Sequence, residues 1–250
     1  MKHIQSSANP LVKQWRKLLT RKERDKTGQF LIEGIHLVEE ALKNGADLEM
    51  LIIGERAYPP SFDFGSVPVV TVTEEIVQLL ADTETSQGVF AVCRQQTDSH
   101  IHAAKTFLLI DSVQDPGNLG TMIRTADAAG VDAVIVGTGS VDIYNPKVLR
   151  SAQGSHFHLP IVRGGLNEWF QKLGERNIPI FGTSLKGAVP YTEINKEESF
   201  ALLVGNEGSG VSKELLDQTT KNLFIPIRGR SESLNVAVAA GILLYHLTME

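Results

Sequence analysis

Ser231-Glu232-Ser233-Leu234-Asn235-Val236-Ala237-Val238-Ala239-Ala240-Gly241 is the stretch around which the chain is organised. It follows Leu223-Phe224-Ile225-Pro226-Ile227, a short β-branched run stopped by proline, which reads as a buried strand. It opens an apolar segment ending near His246, which reads as a helix. Ser233 or Asn235 can cap that helix by accepting a bond from a free backbone N–H. The segment is apolar nearly all round, so burial is expected. A charged loop from Arg228 to Ser233, set between a buried strand and a buried helix, is costly unless it has a task. It marks the first place to look for a site.

The same alternation runs upstream. Phe107-Leu108-Leu109-Ile110 reads as a buried strand. A helix over Leu119–Ala129 has Leu119, Met122, Ile123 and Ala126 on one stripe, with Arg124 off it, near the helix start. Further strands are expected at 133–136, 156–161, 178–182 and 200–204, with helices at 146–152, 166–176 and from Ser212. In the 156–161 strand, His156 and His158 would share a face. Repeated strand–helix units imply a mostly parallel sheet with helices on both faces. In such sheets ligands sit at the carboxyl ends of the strands. Three glycine-rich polar loops lie there: 111–120, 205–210 and 228–235.

Residues 1–96 read as a smaller α/β domain. Helical spacing covers 8–24, strands cover 29–32, 48–53, 69–72 and 88–94, and helices run over 35–43 and from a Thr73 cap to Ala81. A loop holds Pro59, Pro60 and Pro68. The polar stretch 97–104, with His100 and His102, reads as the linker to a second domain over 105–250.

The chain has 250 residues and a formal charge of −5. Eight Lys/Arg against two acids give residues 1–30 a charge of +6, which leaves the remainder at −11. A basic arm on an acidic body suits a phosphate backbone, and equally a solvated helix face. A single cysteine, Cys93, excludes an internal disulfide and a cysteine-based zinc site. No apolar run reaches the roughly 18 residues of a membrane span, and no signal-peptide pattern opens the chain. A cytoplasmic protein without membrane or metal is expected.

The glycines of 205–210 run in the reverse order of a dinucleotide fingerprint, so a ligand loop and a plain strand-to-helix turn remain equal readings. Arginine's planar fork can grip a phosphate, and helix-start N–H groups add to an anion site. Arg124 and Asn118 therefore stand out on the first loop and helix.

Asp115-Pro116-Gly117-Asn118-Leu119-Gly120-Thr121-Met122-Ile123-Arg124-Thr125-Ala126, Val204-Gly205-Asn206-Glu207-Gly208-Ser209-Gly210 and Ile225-Pro226-Ile227 with Ser233-Leu234-Asn235-Val236-Ala237 resemble, in order, the three motifs of the SpoU/TrmH family. These are S-adenosylmethionine-dependent RNA ribose 2′-O-methyltransferases of the SPOUT superfamily. With Asn145-Pro146-Lys147 to Gly154 the likeness covers about 105–250. Phe30-Leu31-Ile32-Glu33-Gly34 and Ser86-Gln87-Gly88-Val89 resemble the family's ribosomal-protein-like substrate-binding domain.

The resemblance implies a deep trefoil knot formed by loops 205–210 and 228–235, and a homodimer through the knotted domain. General topology rules argue against a knot. It implies Arg124 as the group that activates the 2′-OH, as base or by polarising it. It implies Asn118 and Ser233 orienting Arg124 and the RNA phosphate, and Glu207 and Asn235 shaping the loops and dimer. The methyl donor would lie against Thr183, Gly205, Ile225, Ile227 and Leu234. The substrate would be ribosomal RNA, with Lys13, Arg16, Lys17, Arg21 and Lys22 as contacts. An RNA-binding protein of this fold without transfer activity, and a base-directed methyltransferase of the wider superfamily, remain alternatives.

Overall fold

The computed structural model describes residues 2–58, 62–96 and 101–248. Pro59, Pro60 and His100, named above in loop and linker, lie outside the described residues. In chain order the elements are β1 (Lys2–Ile4), α1 (Pro10–Lys17), α2 (Arg21–Thr27), β2 (Gln29–Glu33), α3 (Ile35–Lys43), β3 (Leu48–Gly54), β4 (Val69–Val72), α4 (Glu74–Leu80), β5 (Val89–Arg94), β6 (Thr106–Ile110), α5 (Pro116–Ala128), β7 (Ala133–Gly137), α6 (Pro146–Ala152), β8 (Ile161–Gly164), α7 (Leu166–Glu175), β9 (Ile180–Thr183), β10 (Val189–Pro190), β11 (Phe200–Val204), α8 (Lys213–Leu216), β12 (Lys221–Phe224) and α9 (Val236–Thr248). No helix among the described residues is long and apolar enough to cross a membrane.

The chain forms two compact units. One comprises Met1–Thr97 with Tyr144–Phe157, the other Asp98–Ile143 with His158–Glu250. The segment bearing α6 thus clusters with the amino-terminal residues, although it lies within the span read as the second domain. Its anchor is aromatic: the Tyr144 ring lies 4.4 Å from that of Phe30.

In the first unit the sheet order is β1-β4-β3-β5-β2, with β5 antiparallel to both of its neighbours. Val12 and Trp15 from α1, Leu18 just past it, and Ile76, Val77 and Leu80 from α4 pack on one face of it. The expected single helix over 8–24 is two helices. Asn9 caps the first by accepting from the Leu11 N–H at 2.9 Å. The Thr20 hydroxyl donates to the Lys17 carbonyl and Arg24 Nη1 to the Leu18 carbonyl, so side chains take the carbonyls that a continuing helix would use. Thr73 precedes α4, but its side chain makes no cap, and its Oγ1 is buried without a partner.

In the second unit seven strands run in the order β10-β12-β9-β11-β6-β7-β8, and every pairing is parallel. Strands such as Phe200-Ala201-Leu202-Leu203-Val204 are buried throughout, as a sheet covered on both faces demands. Phe107, Leu109, Ala201 and Leu203 meet α7 and α8 on one face. α5 and α9 pack together over the other, with α9 against β11 and α5 against β7.

Two strand readings and one helix reading change. Residues 155–157 form a 3₁₀ turn after Gln153 and Gly154 take left-handed φ of 51° and 98°. β8 therefore begins only at Ile161, and His156 and His158 do not alternate along a strand. β12 occupies 221–224, and the chain leaves the sheet before Pro226, which has no N–H to give it. The terminal helix is buried on one side only: Val238, Ile242 and Tyr245 are 52%, 37% and 41% exposed.

Candidate active site

Because the strands are parallel, the carboxyl ends of β6, β9, β11 and β12 share one edge of the sheet. The loops that follow them carry the polar residues singled out in the sequence. Asp115 caps α5 by accepting from the Asn118 N–H at 2.8 Å, and Pro116 occupies the first helical position, where its missing N–H costs nothing.

Glu207, on the loop after β11, reaches across to this helix start. One carboxylate oxygen accepts from the Asp115 N–H at 3.0 Å and from Asn118 Nδ2 at 3.1 Å; the other accepts from the Gln114 N–H at 3.2 Å. Partial burial works against its ionisation. The Asn118 amide and the N–H groups of Asp115, Glu207 itself and Gln114 outweigh that, and hold its pKa below the ordinary carboxylate value.

Asn118 Oδ1 in turn accepts from Asn235 Nδ2 at 2.9 Å. Asn235 Oδ1 faces the other way and accepts from the Ala237 and Val238 N–H groups at 2.9 and 3.3 Å. Of the two candidate caps for the terminal helix, Asn235 is the one that acts. Glu207, Asn118 and Asn235 thus form one hydrogen-bonded chain through all three loops.

The loop 205–210 closes on itself. Asn206 and Gly210 exchange main-chain bonds, and Asn206 Oδ1 takes the Gly208 and Ser209 N–H groups. Those donors point at a side chain, not at a ligand. Gly205 is required because a Cβ there would stand 2.2 Å from Gly210 C and Val211 N.

Two expected partners stay apart from the chain. α5 begins at Pro116, so Arg124 is two turns in and not near the helix start. Six residues from Asn118 it is about 240° round and about 9 Å along the axis. The helix-start N–H groups and Arg124 therefore do not make one anion site. Arg124 is exposed, and its side chain makes no hydrogen bond or ion pair among the described residues. Ser233 is also exposed; its carbonyl accepts from the Ser231 hydroxyl at 2.8 Å.

Thr183 ends β9 with its hydroxyl on the Leu203 carbonyl at 3.1 Å. Ile225 and Ile227 are half-buried just past β12, and Leu234 is exposed. Lys13, Arg16 and Lys17 lie exposed on α1, and Arg21 and Lys22 on α2, whereas Arg24 of the same basic run is buried. Among the described residues no group of three His, Cys, Asp or Glu is placed to hold a metal ion.

Sequence reasoning missed Asp111, Ser112, Gln114 and Asn206. An acid directly after the apolar run 107–110, at the carboxyl end of a parallel strand, was the available signal for the first. Asp111 Oδ2 accepts from the Ser212 N–H at 2.9 Å, and Asn206 Nδ2 donates to the Ser112 carbonyl at 2.9 Å.

Comparison with known proteins supplies an independent line. Residues 105–245 match the model of the SpoU rRNA Methylase family, and residues 9–91 that of the MRM3-like substrate binding domain. The chain is 52% identical over 248 residues to the 23S rRNA (guanosine(2553)-2'-O)-methyltransferase RlmP of Bacillus subtilis, covering 99% of both. It is similar to the AdoMet-bound rRNA methyltransferase from Sinorhizobium meliloti, with a TM-score of 0.86, 33% identity and 98% and 97% of the two chains covered. It is also similar to the SpoU methyltransferase AviRb from Streptomyces viridochromogenes in complex with AdoMet, with a TM-score of 0.83, 28% identity and 96% and 97% covered. Three loops joined at one sheet edge and the match across both units lead to one conclusion: the chain belongs to the SpoU rRNA methylase family.

Proposed function

We propose that this protein transfers the methyl group of S-adenosylmethionine to a ribose 2′-OH of ribosomal RNA, in the cytoplasm. The observation that carries this reading is the Glu207–Asn118–Asn235 chain, which ties the three family motifs together at the ligand edge of a parallel sheet. The similarity to RlmP supports ribose as the target and ribosomal RNA as the substrate.

The residues present fit the donor. Among the described residues, no main-chain group of 225–234 is bonded to another main-chain group. Ile225 and Ile227 therefore leave N–H and C=O groups free to bond a ligand beside half-buried apolar side chains. Such a wall suits adenine on the backbone and a thioether arm on the side chains, and Thr183, Gly205 and Leu234 are assigned to the same donor site. Bound there, S-adenosylmethionine supplies an electrophilic sulfonium methyl.

Arg124 is the residue assigned to the hydroxyl. A guanidinium stays protonated, so it lowers the cost of the developing alkoxide and does not itself take the proton. The hydroxyl proton passes by way of an RNA phosphate oxygen to solvent water, because a phosphodiester is too weak a base to keep it. Glu207, Asn118 and Asn235 keep the loops in register while this happens. Ser233, exposed on the 228–235 loop, suits a phosphate contact.

Residues 1–96 are read as the RNA substrate-binding domain, 97–104 as a linker and 105–250 as the methyltransferase domain; the matches over 9–91 and 105–245 support this division. Lys13, Arg16, Lys17, Arg21 and Lys22 would contact phosphates. Two further features of the family are adopted here. A knotted carboxyl-terminal segment is adopted on the strength of the family match over residues 105–245 alone. The exposed stripe Val238, Ile242 and Tyr245 supports a homodimer through α9.

Calorimetric titration with S-adenosylmethionine, paired with transfer of labelled methyl to total RNA lacking the modification, tests the reading. Donor binding and label in large ribosomal RNA are expected. Absence of both would leave an RNA-binding protein of the same fold.

A further inference from the structure

Behind the Glu207–Asn118–Asn235 chain stands a carboxylate to which the reaction assigns no task. Asp111 directly follows β6 and is 9% exposed. Its Oδ1 accepts from the Ser112 hydroxyl at 3.0 Å and its Oδ2 from the Ser212 N–H at 2.9 Å. Among the described residues it has no cationic partner. A buried carboxylate held by two neutral donors destabilises a fold relative to an apolar side chain of the same size. The residue beside it adds strain, because Ser112 holds a left-handed φ of 56° without being glycine. Two unfavourable features at one point of a sheet edge indicate a task other than packing.

What they hold is visible in the bonds. Ser212 is the far end of the loop that begins at Gly205. The near end is held by Asn206, whose amide donates to the Ser112 carbonyl. Glu207 follows Asn206 directly and meets Gln114, Asp115 and Asn118 from there. We propose that Asp111 is a positioning residue for methyl transfer: through Ser212 and Ser112 it fixes both ends of the 205–212 loop and so sets Glu207 against Asn118. This rests on the methyltransferase reading above.

The test is a double-mutant cycle on the full chain, read as the single-turnover rate of transfer to ribosomal RNA. Asp111→Ala is expected to lower the rate about 50-fold, and Asp111→Asn, which keeps an acceptor for Ser212, about fivefold. In a Glu207→Ala background each loss should shrink to less than about twofold, because the group being positioned is gone. A purely structural role would leave the losses multiplicative in that background, and that result overturns the inference. So would an unchanged rate in Asp111→Ala. If Asp111→Ala does not fold, the Asp111→Asn cycle decides by the same criterion. Wild-type protein that methylates no RNA would remove the functional reading and this inference with it, a failure distinct from an additive cycle.

Discussion

Asn235 Nδ2 lies 2.9 Å from Asn118 Oδ1, across 117 residues of chain. Both amides are fixed end for end. Asn118 turns its nitrogen to Glu207 and its oxygen to Asn235; Asn235 turns its nitrogen to Asn118 and its oxygen to the start of α9. Cap and link can therefore be separated. Asn235→Asp keeps the acceptor that caps α9 and loses the donor, so stability should stay within about 0.5 kcal/mol while transfer falls about tenfold. Asn235→Ala loses both, with stability down about 1–2 kcal/mol as well. Urea unfolding and single-turnover transfer read the two effects.

Glu207 gives the site a pH signature. Its folded-state pKa is lowered from 4.5, so its ionised form adds stability above the ordinary carboxylate pKa. That contribution is lost as pH falls through the lowered value. Wild type should exceed Glu207→Gln in unfolding free energy by a constant margin from neutral pH down to about 5. The margin should shrink on further acidification. A margin that widened towards acid would contradict the hydrogen bonds assigned to this carboxylate.

Two glycines of the same loop should behave oppositely. Ala at Gly205 places Cβ 2.2 Å from main-chain atoms that cannot move aside, so Gly205→Ala should cost about 3 kcal/mol or more and abolish donor binding. At Gly208 a Cβ would meet only Asn206 Oδ1, at 3.6 Å. Gly208→Ala should change stability by less than about 0.5 kcal/mol. Thermal unfolding and donor titration of both variants check the contrast.

The exposed side of α9 makes a separable prediction. Ile242 is exposed in the single chain, so Ile242→Asp should leave the subunit folded, with unchanged circular dichroism. Sedimentation should then report a dimer for wild type and a monomer for the variant. A wild-type monomer would remove the dimer from the account.

Much of this was legible in the residues, for physical reasons that differ by element. The continuous apolar runs at 107–110 and 200–204 are too short for buried helices and are bounded by polar turns, so they read as buried strands, and the ligand edge follows from the parallel order they imply. The period of Leu119, Met122, Ile123 and Ala126 gave α5 but not its start, because Pro116 and the Asp115 cap add a turn that carries no apolar signal. That single turn moves Arg124 away from the helix terminus. The break between α1 and α2 escaped detection because side-chain donors from Thr20 and Arg24 end the helix, and periodicity does not register them. The same holds for Asp111: nothing local shows that its partner is an N–H 101 residues later. Which loops lie at the edge was readable; which atoms join them was not.

The most direct test of the account is transfer of labelled methyl from S-adenosylmethionine to ribosomal RNA lacking the modification, by wild type and Arg124→Ala, followed by nucleoside analysis. Arg124 is exposed and unpaired among the described residues, so the variant should fold and bind donor as wild type does. The account predicts a 2′-O-methyl nucleoside from wild type and a rate at least about 100-fold lower from the variant. Label on a base, or transfer by Arg124→Ala at the wild-type rate, would contradict it.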